Sequence, residues 1–227
     1  MNTKKENSLE IKGPLHEIIK LDDRLVEFEL YRFDFKNEIA DLVSNERVSE
    51  RLFQSLDQRG VLNDTYYVLE KGNVRNSSNS LIRVHSACFH GDTLRHVICD
   101  CGEQYEAALK QIAEEEGLLI YCEGQDGRGI HKKLHFRSYL DQQENLWDTF
   151  ESFRRRGLNE DPRDYSNVVK ILKYYGLSRI RLLTNNPEKI QSIKSSDIEV
   201  ERIPIWVKKT GINSKQIEAK LRRGHLQ

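Results

Sequence analysis

The sequence lacks any net charge: 36 Lys and Arg residues balance 36 Asp and Glu residues over 227 positions. A protein that grips polyanions without regard to their sequence carries a basic excess, so general nucleic-acid binding is excluded and only a local basic pocket stays open. No long apolar run is present, which excludes a membrane-spanning helix. The opening MNTKKENSLEIKG has no apolar core of the kind a secretory leader needs. Internal repeats and low-complexity tracts are absent. Cysteine is scarce, at four residues. These absences read as a cytoplasmic chain with reduced thiols and neither a membrane nor a nucleic-acid partner. The length suits one sizeable domain, or one domain with a small appendage.

The pattern that is present reads as α/β, a mixed sheet with flanking helices. Residues 1 to about 13 are polar and are expected to be disordered. RLVEFELYRF (24–33) alternates as a strand, and the charged stretch 37–59 reads as a helix. TYYVLEKG and SLIRVHSAC read as strands separated by the loop NVRNSSNS. GEQYEAALKQIAEEEG places Tyr105, Ala108, Leu109 and Ile112 on one helical face, with Gly117 as its stop. LLIYC is a short buried strand, and EGQDGRGIHKKLHFRSYL a glycine-rich turn entering a helix. DYSNVVKILKYYG, RIRLLT, EKIQSIKSS and IEVERIPI then alternate helix and strand, and SKQIEAKLRRGHLQ is a last helix or tail. The expected division is a divergent N-terminal part, 1–75, completing the sheet of a core over 76–227.

Three of the four cysteines fall within HSACFHGDTLRHVICDCG, residues 85–102, as Cys88, Cys99 and Cys101 in the spacing C-x10-C-x-C. In a reducing compartment such a cluster suggests metal or catalysis more than disulfides. Two thiolates one residue apart can face one ion, and Cys88 ends the preceding strand. Three thiolates make a soft, negative site that suits zinc. The fourth position decides its kind: a protein ligand closes a structural site, whereas a catalytic site leaves the position to water. Cys122 or a nearby histidine could close it, and unligated core thiols remain a further reading. His85, His90 and His96 read as hydrogen-bonding or surface residues rather than ligands.

RVHSACFHGDTLRHVICDCGEQYEAAL, followed by QDGRGI, FRSY, DPRDY, RLLTNNPEK, ERIP and AKLRRGHL, resembles GTP cyclohydrolase II. The resemblance covers roughly residues 80–225, and the first 75 or so match weakly. It implies zinc on Cys88, Cys99 and Cys101. Arg83, Val84, His85, Ser86, Ala87 and Gln104 would line a nucleotide site, with Asp126, Gly127 and Arg128 at the glycine-rich turn. Thr149, Thr184 and Lys189 match nucleotide-contacting positions. Tyr139, Asp161 and Arg163 match the catalytic set, the last two described as proton acceptor and nucleophile. GTP or a related nucleotide as substrate, magnesium with the triphosphate, release of formate and pyrophosphate, and a homodimer are all implied the same way.

That chemistry needs an activated water to attack the carbon between the two imidazole nitrogens. A zinc ion with an open position lowers the pKa of its water toward roughly 7. Tyr139 could position the water or donate a proton. A guanidinium stays protonated in proteins, so charge stabilisation by Arg163 is the better expectation than a covalent bond. On local grounds alone, DPRDY reads as a helix start with Asp161 as N-cap and Pro162 in the first turn.

The chain departs from the family pattern at Ala87, His90, Ile98, Gly124, Asp126, His131 and His135. These positions cluster around substrate recognition, whereas the zinc cysteines and the Tyr139, Asp161, Arg163 set are intact. Two other readings therefore stand beside GTP hydrolysis: a hydrolase of the same fold acting on another nucleotide or base, and a non-catalytic zinc or nucleotide-binding homologue.

Overall fold

A computed structural model describes residues 9–35, 65–130 and 132–225. The helix expected over 37–59 and the departure at His131 lie outside these residues. One seven-stranded sheet organises the rest, in the order β1-β2-β3-β5-β4-β6-β7. The strands are β1 Leu9–Leu21, β2 Arg24–Phe35, β3 Thr65–Lys71, β4 Leu81–Ser86, β5 Gly117–Cys122, β6 Arg179–Leu183 and β7 Glu199–Ile203. The helices are α1 Cys101–Glu115, α2 Lys132–Asn145, α3 Thr149–Arg155, α4 Ser166–Tyr174, α5 Pro187–Lys194 and α6 Ser214–Arg222. Residues 9–13, expected to be disordered, instead begin β1, which pairs with β2 from Leu9↔Phe35 onward. The polar composition there reflects an exposed edge strand rather than an unfolded one.

Pairing is antiparallel from β1 through β3 to β5, and parallel among β5, β4, β6 and β7. The central strands are buried on both faces, as parallel strands covered by helices must be. Ile82, Val84, Leu118 and Ile120 face a core closed by Val168, Ile171 and Leu172 of α4 and Ile193 of α5. Leu81 and Leu119 face the opposite core with Ala108, Leu109 and Ile112 of α1. β4 leads to β5 on one side while its other neighbour, β6, leads to β7 on the opposite side, so the crossovers from these adjacent strands run in opposite directions. Such a switch point opens a crevice at the carboxyl ends of the strands.

Two local details differ from the sequence reading. Helix α1 stops at Glu115, and Gly117 opens β5 instead of capping the helix. A Cβ on Gly117 would lie 1.9 Å from the Leu81 carbonyl oxygen, so its absence lets β5 lie against β4. Asp161 is not an N-cap, because α4 begins only at Ser166 with Tyr165 before it. That leaves residues 161–165 outside helix and strand, with Arg163 among the residues lining the crevice.

Candidate active site

The three cysteines converge. Their sulfurs lie within 4.8 Å of one another, with Cys88 and Cys99 3.9 Å apart. Cys88 leaves the end of β4 and caps a π-helical turn over Phe89–Thr93, accepting from the Gly91 amide at 3.3 Å. Cys101 opens α1. A pair of glycines makes the convergence possible. A Cβ on Gly102 would stand 2.3 Å from the Gly91 carbonyl oxygen, and one on Gly91 would stand 3.0 Å from the Cys99 sulfur.

Asp92 braces this turn. Its buried carboxylate accepts from the Cys88 amide at 2.9 Å and the Tyr121 hydroxyl at 3.1 Å, and meets His85 Nε2 at 3.1 Å. Burial, despite that contact, holds the His85 pKa below its usual value, so the ring stays neutral. Hydrogen bonds from Cys101 and Cys88 lower the Cys99 thiol to about 3. The same sharing raises Cys88. A cluster that stabilises one thiolate and presents two more sulfurs is a fitting donor set for a soft divalent cation. Among the described residues, Cys122 is not part of it. Its thiol is fully buried in the α4 face of the core, and burial raises it to about 12. The closed site with Cys122 as fourth ligand is thus not formed.

Beside the sulfurs lies a cleft of about 960 Å³ including its mouth. It sits at the carboxyl ends of β4, β5 and β6. Its lining includes Arg83, His85, Ser86, Ala87, Gln104, Gly127, Arg128, Tyr139, Thr149, Arg163, Thr184 and Lys189 along with Cys88, Cys99 and Cys101. Val84 contributes only its carbonyl oxygen, which accepts from Lys189 Nζ at 2.8 Å; its side chain is in the core. Asp161 stands behind Arg163, accepting from Nε at 2.7 Å and pairing with the second nitrogen. Asp126 is taken up elsewhere, accepting from the Phe89 amide at 3.1 Å with His135 at 3.6 Å.

Among the described residues no carboxylate lines the cleft; Arg163 and Lys220 find theirs behind it, in Asp161 and Asp100. Burial lowers Arg83, lowers Arg128 to about 10 and lowers Lys189 well below a normal lysine. Burial works the same way on Arg163, but Tyr165 and Asp161 outweigh it and its pKa is raised. Asp161 in turn is held below the usual carboxylate range, since Arg163 outweighs the burial that would raise it. Arg128 has φ +61°, donates to the Glu160 carbonyl and Thr149 hydroxyl at 3.1 Å each, and lies 4.0 Å over the Phe150 ring. Tyr139 packs 4.3 Å from His90, 5.2 Å from His135 and 5.5 Å from His96, centroid to centroid. Burial, then the nearby thiols, raises its pKa, so the phenol keeps its proton.

Sequence reasoning singled out neither Gln125, which accepts from Ser86 at 2.7 Å, nor Gln216, Lys220 and His225, which line the cleft from the C-terminal end. The tail motif AKLRRGHL was the available signal for the last two. Lys220 pairs with Asp100, which accepts from Gln104 at 2.7 Å; Gln104 accepts from Arg83 at 2.8 Å. This chain of contacts ties α6 to the central strand. Among the described residues, no helix is long and apolar enough to cross a membrane.

A family model described as GTP cyclohydrolase II matches residues 50–204. The riboflavin biosynthesis protein RibBA of Bacillus cytotoxicus is 41% identical over 175 residues, which cover 76% of this chain and 42% of that protein. RibBA of Endomicrobium trichonymphae is 35% identical over 178 residues, 77% of this chain and 43% of that one. RibBA of Staphylococcus saprophyticus is 33% identical over 226 residues, 96% of this chain and 55% of that one. The chain therefore spans from about two fifths to just over half of these relatives.

Proposed function

The chain belongs to the GTP cyclohydrolase II family, and we propose that it opens the imidazole ring of GTP by hydrolysis, releasing formate and pyrophosphate and leaving the diamino-ribosylaminopyrimidinone phosphate. Its place would be in riboflavin biosynthesis, as the names of its relatives suggest, or in a related specialised pathway, and its compartment the cytoplasm. The observation that carries this reading is the three-sulfur cluster at the head of a cleft lined by Arg83, Arg128, Arg163 and Lys189.

Cys88, Cys99 and Cys101 would hold one zinc ion. Bound there, zinc supplies Lewis acidity that makes water a nucleophile near neutral pH. The remaining work falls to the chain's own groups. Tyr139, protonated and beside the thiols, is suited to donate its hydrogen bond to the nitrogen left by ring opening. Arg163 stays charged and is aimed by Asp161 into the cleft, where it would stabilise charge on the α-phosphate. Arg83, Arg128 and Lys189, with Gly127, Thr149 and Thr184, would receive the rest of the triphosphate and sugar. With no carboxylate among the described residues lining the cleft, magnesium would arrive on the phosphates.

A second reading keeps the reaction class and changes the base. Asp126 motivates it, because its carboxylate is already engaged by Phe89 and His135. One experiment separates the two. Zinc-loaded protein is incubated with magnesium and a panel of purine and pyrimidine nucleotides, assaying formate and pyrophosphate. Both products from GTP alone, with a diaminopyrimidine spectrum, are expected. Turnover of another nucleotide with GTP inert would select the second reading, and pyrophosphate without formate would remove the ring-opening step.

A further inference from the structure

The last helix of the described chain closes one side of the cleft, and the way it ends determines what it presents there. Helix α6 terminates in a Schellman motif. The Gly224 amide donates to the Leu221 carbonyl at 3.0 Å and the His225 amide to the Lys220 carbonyl at 3.1 Å. Gly224 takes φ +81°, a left-handed conformation that a side chain would strain. The reversal places His225 among the residues lining the cleft, with Arg163, Lys189 and Lys220. The helix is held in position along its length. Lys220 pairs with Asp100, Arg223 pairs with Glu160, and Arg222 reaches Asp148 at 3.2 Å. Gln216 hydrogen-bonds Tyr139.

We propose that His225 is an anion-contacting residue of the cleft, completing with Arg163 and Lys189 a set of donors that grips the phosphates of the substrate. This rests on the reading of the cleft as a triphosphate site. The charged groups facing the imidazole are Lys220 from α6, Arg163 from the segment before α4, Lys189 from α5 and Asp100 from the start of α1. Only Asp100 is negative, and it is already satisfied by Lys220 and Gln104. Among those charged groups no carboxylate is left over for the imidazole, and a phosphate oxygen would supply an anionic acceptor. Burial, then the Lys220 charge, lowers its pKa to about 4, so the ring is neutral in the open cleft. A phosphate beside it reverses that balance and raises its pKa, so binding takes up a proton, and affinity falls as pH rises through the liganded pKa.

The test compares zinc-loaded full-length protein with His225→Ala and His225→Gln, using tripolyphosphate, guanosine and GTP as probes. His225→Ala should weaken tripolyphosphate binding about tenfold at about pH 6, a loss of about 1.4 kcal/mol. It should leave guanosine binding unchanged and raise KM for GTP more than it lowers kcat. Wild-type affinity for tripolyphosphate should fall more steeply between about pH 6 and about pH 8 than that of either variant, the difference isolating His225 from the titration of the probe and of Lys189. His225→Gln, which cannot be charged, keeps the shape of the segment and should melt with the wild type. Equal tripolyphosphate affinity in all three proteins at both pH values overturns the proposal, even if GTP is turned over normally. If GTP is inert but the tripolyphosphate difference persists, the contact stands and the substrate reading falls.

Discussion

The two halves of the sheet are built from the same kind of strand and do different work. β1 and β2 form a long hairpin turned at Asp22 and Asp23, exposing Leu15, Ile18 and Leu25 at 58%, 68% and 73%. β4, β5 and β6 are short, nearly fully buried and joined through helices. Among the described residues, those that line the cleft all lie at Arg83 or later in the chain. The difference follows from connectivity. A hairpin returns at once and leaves no space at its end, whereas crossovers splay apart beside the switch strand and leave a crevice there. The antiparallel half extends the sheet and covers the core; the parallel half carries the chemistry.

The comparison breaks most sharply at the sulfurs. Cys99→Ser should reduce bound zinc from about one per chain to a small fraction, measured by metal analysis after dialysis. Turnover should fall by roughly a thousandfold, the order expected when several kcal/mol of Lewis-acid stabilisation is lost. Zinc retained at full stoichiometry would remove this residue from the ligand set. A smaller effect is expected one step back from the metal. Gly102→Ala puts a methyl group against the Gly91 carbonyl. It should cost about 1–3 kcal/mol of stability, read by denaturant titration. It should also weaken zinc about 10–100-fold, read by chelator competition. The smallest effect belongs to the other half of the sheet. Ile18→Thr on β1 should change stability by no more than about 0.5 kcal/mol and leave zinc content and turnover alone. A large loss of activity there would mean that the hairpin does more than cover the core.

What was legible in the sequence follows the same division. The spacing C-x10-C-x-C pointed to a metal cluster because two ligands are adjacent on the chain and the third ends a strand, and those are local relations. The helical face of Tyr105, Ala108, Leu109 and Ile112 was readable from its period, and α1 does bury Ala108, Leu109 and Ile112. The edge strand was not, because a strand exposed along much of its length has a composition close to that of a disordered tail. The start of α4 was misplaced because Asp and Pro favour helix N-termini wherever they occur, while here Asp161 is committed to Arg163. The occupation of Asp126 by His135 and Phe89 could not be read, since it depends on how a turn and a helix meet in space. Lys220 and His225 were missed for the same reason, being far along the chain from the strands they face.

Of the 36 Lys and Arg residues, five line the cleft among the described residues, Arg83, Arg128, Arg163, Lys189 and Lys220, and two of these already hold a carboxylate, Asp161 and Asp100. An anionic ligand that nears these cations is drawn in over a distance set by the ionic strength, about 8 Å at physiological salt. Neutrality on the whole therefore gives directed capture, with arrival rates that fall as salt rises, and without the indiscriminate stickiness that a basic protein would have for every polyanion in its surroundings.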